Sequence, residues 1–540
     1  MKETLLRRMV AGAPAVLEKF DERTGRFIEP GWEGPETGWS VTHQDVLYPL
    51  ALLYKKEHPA NPYYHSGEIL GVVAKAGDAL RDWQQPDGRV EFIKIDGSKW
   101  GPIYMPWTMY HWLEAYALVS DELDESRRRS WAEGLALAYD GIAADIIDRD
   151  YPVHNISTWN GMALTRAGGL FERDDWLRTG RKMIASAVAG QTAGGYWNEY
   201  GGPTTSYNLV YTQAVGLYYA FTKDSSVLDC LRRALDFHLK FTYPNGANVE
   251  TIDGRVRYRA EVAKEAMVSF SMFPDGRRFA RWLVSCAERA DGPADCTPAA
   301  AAAFQYWFDG DEAPIPQDND SYEMTMGEEA RVVRDGKWFS CISAIVTEPT
   351  DDRWGMDRQS FVSLYHDACG LIVGGGNSKN QPEWSSFVVA DMYLPTSARL
   401  TPKGVVLDYG GTRCELEIEH ARGEASLTCR CCDTLAKDKR VVCRLPLHVV
   451  PGKEITTAVG RSFPTDGAAV RITGKDAGGW VGHNGWRLEL PSDATFEYPV
   501  LPFNPYAKDG SAPLADAIGT VTADLIAENA TRVLRFTVKE

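Results

Sequence analysis

Two short stretches hold the residues best suited to chemistry. In Tyr151-Pro152-Val153-His154-Asn155-Ile156-Ser157-Thr158-Trp159-Asn160, an imidazole and an amide stand side by side. Residues 194–211 then bring Trp197, Glu199, Tyr207 and Tyr211 together, with Tyr207 following Asn155 by 52 positions. Neutral Asn and His side chains can donate to a carboxylate, which acidifies a proton on the carbon next to it. A phenol, or a phenol with an imidazole, can move such a proton where neighbouring positive charge lowers the phenol's pKa. Indole and phenol faces also suit stacking against a pyranose ring. A third imidazole, His366, lies in the run Ser360-Phe361-Val362-Ser363-Leu364-Tyr365-His366-Asp367, 159 residues beyond Tyr207.

These residues have to be placed by something, and the chain offers two kinds of scaffold. Up to about residue 310, apolar residues recur at helical spacing, as in 109–119, 131–147, 176–188 and 207–221. Helix after helix with short Gly-, Pro- and Asn-rich connections predicts stacked α-hairpins closed into an (α/α) toroid, with loops at one end forming a cleft. Tyr207 and Tyr211, at i and i+4, share a face of one such helix. After residues 314–320 the period changes to two, with short strand-like runs punctuated by turns such as Asp335-Gly336 and Gly410-Gly411. The expected division is a toroid over 1–315 and an antiparallel β-sandwich over 316–540, an α+β multidomain chain.

The order and spacing of these segments resemble the heparinase II/III-like polysaccharide and oligosaccharide lyases, a group that includes the oligoalginate lyases. The resemblance implies a carbon–oxygen lyase that cleaves a 4-linked uronate glycan by β-elimination. It makes Asn155, with His154, the neutraliser of the C6 carboxylate, although the order here is His-Asn where oligoalginate lyases have Asn-His. It makes Tyr207 the catalytic phenol, with Tyr211 as the alternative, and His366 a β-domain imidazole facing the cleft. A His-Asn helix cap and a pair of core tyrosines are the plainer readings of the same residues.

Further candidates for sugar binding are His43 and Gln44 before a helix, Trp107 and His111 in an aromatic run, and Trp159, Trp197 and Glu199 in the two stretches. Arg257, beside a turn at 253–254, and Arg358 offer guanidinium groups to a carboxylate, with ion pairing of Arg257 to Glu250 or Asp253 as the alternative. Residues 374–380, Gly-Gly-Gly-Asn-Ser-Lys-Asn, read as a mobile loop able to close over the cleft. Two other functions fit the same architecture. A toroid glycoside hydrolase needs two carboxylates, for which Asp45, Glu199, Glu68 and Asp253 are available. A non-catalytic carbohydrate-binding protein needs only the aromatic loops.

A net charge of −16 argues against nucleic acid and against a long polyanion held on a basic surface. The expected partner is a short acidic oligosaccharide. No apolar run is long enough to span a bilayer, and the first residues lack the apolar core of a signal peptide, so the sequence as written reads as cytoplasmic. The ten cysteines are too few for a disulfide scaffold. Cys429, Cys431 and Cys432 read as reduced structural thiols that do not converge on a metal, because strand positions alternate in facing. No cofactor is expected. Relatives of the resembled group can carry a structural zinc in the β-domain, but the sequence shows no ligand set for one. The oligomeric state is not encoded in any of these features.

Overall fold

The computed structural model describes residues 1–29, 31, 38–95, 97–433, 440–526 and 530–539. The architecture is a helical toroid followed by an antiparallel β-sandwich, and the chain forms two compact units. The division is not a single cut near 315. Unit one holds 1–191, 207–235 and 263–314, while unit two holds 192–206, 236–262 and 315–540.

Unit one is built from α1 (Lys2–Leu17), α2 (Leu47–Lys55), α3 (Gly67–Trp83), α4 (Pro106–Val119), α5 (Glu125–Asp148), α6 (Asn155–Leu170), α7 (Asp174–Ala189), α8 (Thr205–Thr222), α9 (Leu228–Lys240), α10 (Met267–Phe270), α11 (Pro274–Asp291) and α12 (Pro298–Tyr306), with α8 and α9 each extending past the unit's limits. Burial separates inner from outer helices. α5 buries one stripe through Trp131, Leu135, Ala138 and Ile142, whereas α4 buries Thr108 to Ala115 without a break. A helix apolar on all sides belongs inside, and a striped one outside. α6 and α7 pack antiparallel and very closely. A Cβ at Gly161 would lie 2.7 Å from Met183 Cγ, and one at Gly180 would lie 2.5 Å from the Gly161 oxygen. Only glycine allows that approach. α2, α4 and α6 run parallel, because Asp45 reaches Thr108, Trp107 meets Trp159, and further along Glu114 meets Arg166. Their N-termini therefore lie at one end. Among the described residues, no helix is long and apolar enough to cross a membrane.

Unit two contains two large antiparallel sheets. One runs from Val470–Thr473 through Thr495–Val500, Ile518–Leu525, Val441–His448, Gly370–Val373, Val362–His366, Trp338–Ser343 and Ala330–Asp335 to Ser321–Met326, and Phe387–Val389 also pairs with Val441–His448. The other begins at Ser397–Leu400 and continues through Gly404–Asp408, Arg413–Ala421, Glu424–Cys431, Thr531–Val538, Trp486–Glu489, Trp480–His483 and Ile455–Thr457 to Ser462–Phe463. Their facing sides share one core, which includes Val362, Leu364, Leu416, Leu427 and Phe536. Glu424–Cys431 alternates strictly, turning Ala425, Leu427, Cys429 and Cys431 inward. Cys429 and Cys431, two apart, thus share the buried face, and Cys432 is exposed. All ten cysteines are free thiols.

The first sheet is covered on its second face as well. Tyr196, Phe241, Tyr243, Val249, Ile252 and Tyr258, from the two segments that leave the helical half, pack on Phe339, Cys341, Tyr365 and Leu371. Trp338–Ser343 and Val362–His366 are buried throughout in consequence, so their sequences cannot alternate. Beneath this cover the Tyr243 hydroxyl lies 2.9 Å from Glu250 Oε2 and 2.8 Å from Ser363 Oγ, and Gly375 N–H donates to Glu250 Oε1 at 3.0 Å. Burial pushes the Glu250 carboxyl up to about 7, against hydrogen bonds that favour the anion. With its folded pKa above the ordinary 4.5, Glu250 keeps a proton that the unfolded chain has already lost. Its contribution to stability is whole below the unfolded value and is lost as pH rises through about 7. Urea midpoints of the wild type should therefore fall more steeply than those of Glu250→Gln between about pH 5 and about pH 8. Equal slopes would show that Glu250 ionises without penalty.

Candidate active site

The parallel inner helices of unit one gather a polar and aromatic cluster at their N-terminal ends. His154 is the N-cap of α6, and its Nδ1 accepts the Ile156 N–H at 3.3 Å. Asn155 is the first residue of the helix and is buried. Trp159, one turn on, shares its face. There it meets Trp107 (ring centroids 6.3 Å apart), Tyr110 (5.6 Å, edge-on) and His111 (6.4 Å, edge-on). From the turn Val41–Val46, Asp45 accepts Thr108 Oγ1 at 2.6 Å and lies 3.2 Å from His111 Nδ1. Tyr110 Oη, His111 Nδ1, Trp159 Nε1 and Asn160 Oδ1 are among the buried polar atoms of this neighbourhood with no hydrogen-bond partner among the described residues. A hydroxyl-rich ligand has the groups to satisfy them.

α8 carries Tyr207 and Tyr211. Its far end packs inward, with Arg166 over the Phe221 ring at 5.4 Å and Tyr306 edge-on to it. At 100° per residue, Tyr207 comes within about 40° of the direction Phe221 takes, and Tyr211 only within about 80°. Tyr207 is half-buried, whereas Tyr211 is 1% exposed. The first residue of α8 is held within unit two, where the Asp253 carboxylate accepts Thr205 N–H (2.6 Å), Thr205 Oγ1 (2.9 Å), Arg255 N–H (2.7 Å) and Val256 N–H (2.7 Å).

Other candidates are placed differently from their expected setting. Gln44 is fully buried and has all its capacity in the core, accepting from Phe27 N and Trp39 Nε1 and donating to the Gly25 and Ala76 oxygens. His43 caps its own turn through Nδ1, which accepts Ser40 N–H at 3.2 Å, and burial lowers its pKa. Trp197 is 1% exposed, too enclosed to offer a ring face, and Glu199 is buried in a tight turn closed by its N–H to the Gly202 oxygen. Arg358 is buried and donates to the Ile252 and Pro203 oxygens, with Gly202 and Gly254 packed flat on the guanidinium. Burial pushes its pKa down to about 10. Arg257 does pair with a carboxylate of the protein, but with Asp516 (2.7 Å) and not with Glu250 or Asp253.

Within its strand, His366 shares parity with Val362 and Leu364, the residues that face the inter-sheet core. Its ring packs edge-on against Trp338 at 4.6 Å, and Trp338 in turn stacks with His420 of the second sheet. Nδ1 accepts the Ala368 N–H at 3.1 Å. The opposite face, with Ser363 and Tyr365, is the one that packs on Tyr243. Residues 374–378 are buried and pinned: Asn377 Oδ1 accepts from Gln359 N and Ser360 N, and its Nδ2 donates to the Asp253 oxygen. They form a fixed part of unit two and not a mobile cover.

The sequence reading missed the pairing of Asp45 with His111 and Thr108, whose only local signal is the polar run 42–45. It also missed Glu114, a fully buried carboxylate on α4 that accepts Arg166 Nε (2.7 Å) and the Tyr306 hydroxyl (2.7 Å).

Among solved structures, heparinase III is similar, with a TM-score of 0.55 and 13% identity over 94% of this chain and 78% of that one. A chondroitinase AC lyase studied with oligosaccharides and the chondroitin AC lyase of Streptomyces coelicolor A3 in complex with chondroitin sulphate both give a TM-score of 0.48. Their identities are 11% and 12%, over 100% and 99% of this chain and 83% and 78% of theirs. No family model and no curated protein matches the sequence. At such identity the likeness to heparinase III establishes the fold: a helical toroid followed by an antiparallel β-sandwich.

Proposed function

We propose that the protein is a lyase that cleaves a short, 4-linked uronate oligosaccharide by β-elimination. A shared fold does not choose a reaction, so the reading rests on the site. The observation that carries it is Asn155, buried at the first turn of α6 on one face with Trp159. An amide at a helix N-terminus, where the dipole is positive, is suited to neutralise a carboxylate. His154 accepts at Nδ1, which places its ring proton on Nε2 as a second donor. Trp107, half-buried, supplies a ring face for the sugar, and the buried Trp159 ring backs it. Tyr207 is the phenol that protonates the departing O4, with Tyr211 enclosed in the core. His366 has no part in this reading, because its ring belongs to the inter-sheet layer.

Hydrolysis is less well supplied. Asp253 is occupied by four donors, and Glu68 is exposed on α3. Asp45 is in the cluster, where hydrolysis takes two carboxylates. The test is incubation with alginate, glucuronan, ulvan, heparan and chondroitin oligomers alongside the matched polymers. Elimination creates a C4=C5 double bond conjugated with the carboxylate, and its ultraviolet absorbance should rise faster with oligomers. New reducing ends without that absorbance would mean hydrolysis, and no cleavage of any member would remove the proposal.

A further inference from the structure

We infer that His111, oriented by Asp45, is the base that takes the C5 proton, an inference that rests on the lyase reading above. Thr108 and His111 lie one turn apart on α4, and the Asp45 carboxylate stands against both, 2.6 Å from Thr108 Oγ1 and 3.2 Å from His111 Nδ1. The second contact is an ion-pair approach without the in-line geometry of a hydrogen bond. A carboxylate at Nδ1 favours the tautomer with its proton there, which leaves the Nε2 lone pair to accept. No protein group bonds to Nε2 among the described residues, and the side chain keeps 9% of its surface open. Packing fixes the ring's plane: Tyr48 stacks on it at 6.1 Å, and Trp159 meets it edge-on at 6.4 Å. Trp159 follows Asn155 by one turn of α6, so the ring that meets the imidazole is carried on the same face of α6 as the amide.

The step balances as follows. The C5–H bond breaks and its proton goes to His111 Nε2. The electron pair forms C4=C5, and the C4–O4 bond breaks with its pair on O4. O4 takes the phenolic proton of Tyr207, and water returns the proton from His111 to the phenolate. The titratable groups facing His111 are Asp45 from the preceding turn, Tyr48 from α2 and Tyr110 beside it on α4, while α6 presents Trp159, which does not titrate. Burial raises both tyrosines well above their ordinary range, so Asp45 is the charge beside the ring.

The experiment measures kcat, KM and the pH dependence of kcat for wild type, His111→Gln and Asp45→Asn on the best oligomer found above. His111→Gln should lower kcat by about a hundredfold or more with little change in KM, and remove the acid limb of the profile. Asp45→Asn should lower kcat in the same sense by a smaller factor. Near-normal kcat in His111→Gln, or a loss confined to KM, would overturn the inference. If His111→Gln fails to fold by thermal melting, Asp45→Asn with wild-type kcat and an intact acid limb would overturn it instead. An inactive Tyr207→Phe beside a fully active His111→Gln would remove the base and leave the lyase. A wild type that makes no unsaturated product would remove both.

Discussion

Tyr207→Phe is expected to lose at least about a hundredfold in turnover while keeping its fold and its affinity for the sugar. The substitution deletes one oxygen and keeps the ring that packs α8. If that oxygen protonates O4 in the transition state, its loss falls on kcat and not on KM. Helical phase and burial both favour this phenol: Tyr207 is half-buried and turns toward the side taken by Phe221, whereas Tyr211 is enclosed. Tyr211→Phe should accordingly keep near-normal rates and show its effect in stability. The reverse pattern would place the catalytic phenol one helical turn further on. Two active variants would remove elimination by a tyrosine altogether.

The largest loss of stability is expected from Glu114→Ala. Its carboxylate is fully buried on α4, between Arg166 of α6 and Tyr306 of α12. Gln305 extends the network, donating to the Tyr306 hydroxyl at 2.9 Å and accepting the Tyr48 hydroxyl at 3.0 Å. Three helices thus meet on one charge, and α2 joins them through Gln305. Truncation leaves the Arg166 guanidinium over Phe221 with its carboxylate gone, and breaking a buried pair in this way costs about 3–5 kcal/mol. Urea unfolding followed by tryptophan fluorescence should give that difference. Glu114→Leu with Arg166→Met should recover much of it, since replacing both charges removes the orphan. A loss below about 1 kcal/mol in the single variant would mean that water reaches the pair.

What the sequence reveals depends on how local the cause is. Helical and strand periods are set by neighbours a few residues apart, so both halves and the change near 315 can be read directly. The inner position of α4 is also legible, since it is apolar on every side. The facing of His366 is legible from its parity with the apolar Val362 and Leu364. Arg257 is different. Its partner Asp516 lies 259 residues away, and nothing near either residue announces the pair. Residues 374–378 look mobile because glycines dominate them, yet Glu250 holds Gly375, and Asp253, Gln359 and Ser360 hold Asn377, from positions a local reading does not connect. The dyad of Asp45 and His111 joins two helix starts 66 residues apart, a closeness that only parallel packing creates.

The division of the chain also sets a timetable for synthesis. Residues 192–206 and 236–262 are made well before Ala330–Asp335, Trp338–Ser343 and Val362–His366, the strands of the sheet they cover. Tyr196, Phe241, Tyr243 and Ile252 therefore emerge from the ribosome with no sheet to pack on, and they wait for more than a hundred residues of further chain. A ribosome paused near residue 315 would hold a helical half whose own core is encoded but whose two excursions are still bare. Aromatic surface exposed in this way favours aggregation until the sheet is made. Severing the gene at that point would leave one fragment with unsatisfied aromatics and the other with an uncovered sheet face.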